Sequence, residues 1–131
     1  MRIDNTTKIP TKWWKKVIRD VCKFYGFPVT KIHSAKLEYL PKATTYTYKG
    51  YALGLTYEFV IQMNRKYKPI YCGTRKNKTH RKLSFEECVA FVTAHEIFHL
   101  VQYREKAKET EIGANWAGCK FVLEHKLPKL E

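Results

Sequence analysis

Residues 84–103 read Ser-Phe-Glu-Glu-Cys-Val-Ala-Phe-Val-Thr-Ala-His-Glu-Ile-Phe-His-Leu-Val-Gln-Tyr, and this stretch decides how the rest of the chain is organised. Ser84 with Glu87 three residues on is a capping box: the hydroxyl accepts the Glu87 amide and the glutamate side chain returns the bond. The pattern predicts a helix from Phe85 to about Tyr103. Between Val92 and Val101, Glu96 is the sole Lys, Arg, Asp or Glu. His95 and His99 stand four residues apart there, one turn along a single face, so both imidazoles can reach one ion. Glu96 lies one step round from His95 and can hold a water without ligating the metal. Burying two histidines and a carboxylate among apolar neighbours is costly unless something satisfies them. The expected chemistry is Zn²⁺ held by His95 and His99, with Glu96 as general base towards a water.

Downstream, a Lys-rich turn (Arg104–Glu109) leads to a last helix over about Thr110 to His125. Ile112, Trp116, Cys119 and Leu123 are its expected buried stripe. Gly113, Ala114, Ala117 and Gly118 are small enough to bring it close to the motif helix. Upstream, residues 65–82 hold eight Lys or Arg and no acid, which suits a loop or an irregular basic hairpin. Residues 29–64 are rich in Thr, Tyr, Val and Ile. Three antiparallel strands are expected, at about 29–38, 43–49 and 51–63, with turns at Pro41 and Lys49-Gly50 and a bend near Gly54. Residues 11–25 repeat apolar positions at helical spacing between Pro10 and Gly26. The fold class is therefore α+β: an N-terminal helix, a small antiparallel three-stranded sheet, the motif helix and a C-terminal helix, in one domain spanning 1–131.

The motif helix resembles that of the zincin metallopeptidases. Glu111-Ile112-Gly113-Ala114-Asn115-Trp116-Ala117 resembles the stretch that supplies the third ligand in gluzincin-type enzymes, in particular the ImmA/IrrE-like peptidases. The resemblance implies Glu111 as third zinc ligand and Asn115, four residues on, as the side chain that orients a histidine imidazole. It also implies an endopeptidase acting on an intracellular protein. By the same resemblance the strand before the motif helix, Phe59–Asn64, is a sheet edge to which substrate adds. Glu109 and His125 are reserve ligands. His125 would serve in the alternative, an SprT-like protease acting on DNA-bound proteins. A second alternative is a basic nucleic-acid-binding module whose zinc site is structural or vestigial.

The hydrophobic share of 44% places the chain with globular proteins. No run of about 18 apolar residues suggests a membrane span, and the first residues lack the apolar core of a signal peptide. Cys22, Cys72, Cys88 and Cys119 are far apart with no CxxC pair, which reads as reduced thiols in a cytoplasmic protein, expected to act as a monomer. The net charge of +13 is uneven: residues 1–82 carry 19 Lys+Arg against 4 Asp+Glu, whereas residues 83–131 carry 6 against 8. A polyanion-binding face is therefore expected from Arg65, Lys66, Lys68, Arg75, Lys76, Lys78, Arg81 and Lys82 with the lysine side of the first helix. Its partner would be nucleic acid or an acidic protein. His33 and His80 read as surface histidines, Trp13 and Trp14 as helix anchors, and Tyr103 as a packing residue.

Overall fold

A computed structural model describes residues 1–66, 68–73 and 80–130. The elements are β1 (Arg2–Asn5), α1 (Thr11–Tyr25), a 3-10 turn (Val29–Lys31), β2 (Ser34–Tyr39), β3 (Tyr48–Leu53), β4 (Glu58–Met63), β5 (Tyr71–Cys72), β6 (Arg81–Lys82), α2 (Phe85–Arg104) and α3 (Glu111–Glu124). All three helices fall where the sequence places them, because each is bounded by local chemistry. Gly26 ends α1 at φ +66°, a conformation that favours glycine. At α2, Ser84 Oγ accepts the Glu87 amide at 3.2 Å and Glu87 Oε1 accepts the Ser84 amide at 3.0 Å. Thr110 Oγ1 caps α3 by accepting the Gly113 amide at 3.1 Å.

The sheet differs from expectation. It is mixed and four-stranded, in the order β1-β2-β4-β3. β1 pairs parallel with β2, β2 parallel with β4, and only β3 and β4 are antiparallel. The expected third strand is divided. Residues 54–57 form the β3–β4 turn, and Lys49-Gly50 lies inside β3 instead of turning. β4 is consequently interior, so Phe59–Asn64 is no edge; the edge beside α2 is β3. Within 65–82, Tyr71 pairs with Lys82 and Cys72 with Arg81, the hairpin form of the expected basic segment.

α2 is the central element and packs on α1, α3, β3 and β4. It is buried on every side from Cys88 to Gln102 save at Phe98, which suits its apolar character all round. Ala35 and Leu37 of β2, with Phe59, Ile61 and Met63 of β4, supply the sheet side of the core. Trp14 is fully buried; its indole N–H donates to Thr93 Oγ1 at 3.0 Å and its ring meets Phe59 edge-on. Trp13 is also buried, donating to the Pro128 carbonyl at 2.7 Å. Both tryptophans are anchors.

The close approach of α3 to α2 is as the small residues require: a Cβ on Gly118 would sit 2.7 Å from the Phe91 ring and 2.9 Å from its carbonyl oxygen. The expected buried stripe of α3 is displaced. Ile112 is 85% and Trp116 46% exposed, while Ala114, Ala117, Gly118, Phe121 and Val122 face the core. The thiol reading fails for two cysteines, since Cys72 and Cys119 form a disulfide that ties β5 to α3. Only Cys22 and Cys88 are free, both buried. No helix among the described residues is long and apolar enough to cross a membrane.

Candidate metal centre

The two motif histidines project from the middle of α2 and are 2% and 8% exposed. Their Nε2 atoms lie 3.2 Å apart. Glu111, the first residue of α3, reaches across the helix pair with one carboxylate oxygen 3.1 Å from His95 Nε2 and the other 2.8 Å from His99 Nε2. Three donors thus converge from two helices. Ligands about 2.0 Å from a tetrahedral zinc stand about 3.3 Å apart, so the spread of 2.8–3.2 Å is close to that of a zinc shell. Two nitrogens and one carboxylate are also a donor set that zinc accepts.

Glu96 takes a different position. Its Oε1 is 3.5 Å from His95 Nε2, and its Oε2 is buried without a hydrogen-bond partner among the described residues. Ligand atoms of His95, Glu96 and His99 all lie within 4.8 Å of one another, so Glu96 could in principle complete the set. Glu111 makes the shorter contacts, with one carboxylate oxygen on each imidazole. Burial, and then the charge of Glu111, push the Glu96 carboxyl up to about 8. Burial pushes the His95 imidazole down, towards the neutral form that binds metals. Glu111 has a 75% exposed side chain, so the centre opens to solvent on the α3 side.

Three features around the donors escape sequence reading. Gln102 is buried one turn after His99, and its Oε1 lies 3.1 Å from His99 Nδ1. An Nδ1–H donated to that oxygen leaves the Nε2 lone pair facing Glu111 and His95. Tyr48 of β3 sets its ring 6.4 Å from the His95 ring. Burial and the charges of Glu96 and Glu111 push its phenol up to about 12, which keeps it a neutral donor. Gly50, two residues along the same face of β3, lies against Glu96. The i, i+3 spacing of His99 and Gln102 is visible in the sequence; nothing there pairs Tyr48 or Gly50 with the motif.

Comparison of the chain with protein-family models, curated proteins and solved structures finds no match.

The remaining candidates are dispersed. Asn115 lies near enough to favour the charged form of His95, but His95 Nδ1 has no hydrogen-bond partner among the described residues. His125 is engaged elsewhere: its Nε2 is 3.0 Å from Asp20 Oδ2 and its ring stacks on Phe121. Glu109 lines a surface cleft with Tyr57 and Tyr103, and Tyr103 packs over Gly54 at the β3–β4 turn. His33 and His80 are exposed. Of the basic set, Arg65, Lys66 and Lys68 gather at one cleft. Arg81 is held 2.7 Å from Glu87 and 3.4 Å from the Val122 carbonyl. Lys82 belongs to β6, and Arg75, Lys76 and Lys78 lie outside the described residues.

Proposed function

We propose that the chain is a zinc-dependent endopeptidase of the gluzincin type, with His95, His99 and Glu111 as metal ligands and Glu96 as general base. The observation that carries this reading is the Glu111 carboxylate set between both imidazoles at 3.1 and 2.8 Å, closer than Glu96, whose Oε1 is 3.5 Å from His95 Nε2. Zinc, when bound, supplies a Lewis acid that polarises the scissile carbonyl and acidifies a water. Glu96 must be ionised to act, a form that burial and Glu111 disfavour and that a cation bound beside it would favour. It takes a proton from the water as the water oxygen attacks the carbonyl carbon. It then delivers that proton to the nitrogen as the C–N bond breaks, leaving a carboxylic acid and an amine. Tyr48 is the neutral donor available to the carbonyl oxygen. The open edge of β3 is where an extended polypeptide would add as a further strand.

A purely structural zinc site prefers four protein ligands and has no use for a buried, non-ligating carboxylate. An SprT-like arrangement would need His125, which Asp20 holds. Substitution separates the roles. Glu96→Gln should bind one zinc per chain and lower peptide hydrolysis by about 10²–10⁴-fold. Zinc loss in this variant matching that of His95→Ala would make Glu96 a ligand and end the mechanism.

A further inference from the structure

The edge strand β3 leads into a basic cleft. The loop before β3 and the loop after β4 face each other across an open volume of about 700 Å³, with Lys42 and Thr44 on one wall and Asn64, Arg65, Lys66 and Lys68 on the other. Among the described residues no acidic side chain lines it. None of the four cations is in an ion pair among the described residues.

The walls are held in place. Asn64 is 9% exposed and donates from Nδ2 to the carbonyls of Thr44 at 3.0 Å and Tyr46 at 2.8 Å. Its Oδ1 accepts the Lys66 amide at 2.9 Å. Lys68 Nζ donates to the Thr45 carbonyl at 2.7 Å, and the Arg65 guanidinium lies 4.8 Å over the Tyr39 ring. Four uncompensated positive charges on fixed loops attract anions and lose little freedom on binding them.

The position of the cleft decides what enters it. Tyr48 pairs with Met63, and the next rung outward is the Asn64 amide to the Thr47 carbonyl at 3.1 Å. The cleft therefore begins one residue beyond the strand position beside His95. With a strand rise of about 3.3 Å per residue, the cleft lies roughly three to five residues from a bond held opposite Gly50 and Glu96.

We infer that the cleft is a specificity subsite for acidic side chains of the polypeptide that is cut. This rests on the peptidase reading, since it places the anion on the same chain as the scissile bond. A cleft this small at the end of a sheet edge fits side-chain carboxylates better than a nucleic-acid duplex.

The test uses Glu96→Gln protein loaded with zinc, and fluorescent peptides carrying three successive Glu, or three Gln, on either side of a central segment. Anisotropy should show one Glu placement binding about tenfold more tightly than its Gln counterpart, and Lys42→Gln/Arg65→Gln/Lys66→Gln should remove the difference with zinc content unaltered. Equal binding of Glu and Gln peptides, or a preference that survives the triple substitution, overturns the inference. So does displacement of the Glu peptide by a DNA oligonucleotide at lower concentration than by unlabelled Glu peptide, which would make the cleft a nucleic-acid surface. Failure of zinc-loaded wild-type protein to cut any peptide counts against the peptidase reading, whereas cleavage without Glu preference counts against the cleft alone.

Discussion

Gly50 stands so close to Glu96 that a Cβ on the glycine would lie 3.1 Å from the carboxyl carbon. The same Cβ would also lie 3.2 Å from the Val60 carbonyl oxygen, which belongs to the backbone of the paired strand β4. The side chain of Glu96 must give by a few tenths of an ångström when that space is filled. Gly50→Ala should therefore lower kcat about tenfold while zinc content stays at one per chain, because misplacement of a reacting group is costly. Steady-state kinetics with elemental analysis checks this. Wild-type turnover in Gly50→Ala would show that the base does not depend on this contact.

Metal retention should follow the converging donors. His95→Ala, His99→Ala and Glu111→Ala should each weaken zinc binding strongly, whereas Glu109→Ala and His125→Ala should bind like wild type. Competition titration against a chelator of known affinity ranks the five. Wild-type affinity in Glu111→Ala together with loss in His125→Ala would favour the SprT-like geometry.

Gln102 and Asn115 should differ in effect. Gln102 is buried with its Oε1 3.1 Å from His99 Nδ1, so on the proposed site it would hold the proton on Nδ1 and leave Nε2 for the metal. Gln102→Leu should reduce zinc affinity about 10–100-fold, the usual effect of losing a hydrogen bond that orients a ligand. Asn115 is exposed, and Asn115→Ala should cost less. A larger loss in Asn115→Ala, by the same titration, would mean His95 is the more dependent imidazole.

The disulfide predicts a thiol count. Burial pushes the Cys22 thiol up to about 12 and Cys88 to about 11, so neither offers thiolate to a reagent at neutral pH. Alkylation followed by mass spectrometry should find no fast-reacting thiol in native protein, two in protein denatured without reductant, and four after reduction. Reduction should also lower stability by about 4 kcal/mol, given the sequence separation of 47 between Cys72 and Cys119. Denaturant unfolding with and without reductant measures this. Four thiols without reduction would remove the tie between β5 and α3.

The sequence by itself determined the three helices and the spacing of the motif. Pro10 and Gly26, the Ser84–Glu87 box and the Thr110 cap act within a few residues, and helical hydrogen bonds are local, so each boundary is set by its own neighbourhood. The pairing of His95 with His99 follows from helical geometry alone. The sheet was decided by tertiary structure, because a strand gains its hydrogen bonds from a partner that no local pattern names. β1 is four residues long with no fully buried residue, and pairing with Ser34–Leu37 makes it a strand. The same holds for the β3–β4 division and for the exchange of Phe59–Asn64 for Tyr48–Leu53 at the edge. Ile112 and Trp116 are exposed because the small face of α3 lets it approach α2 more closely than a large apolar stripe could. Cys72 and Cys119, 47 residues apart and without a motif, meet only once β5 lies against that helix. Gly50 and Tyr48 reach the motif in the same way, through a packing contact between a strand and a helix that the order of residues does not encode.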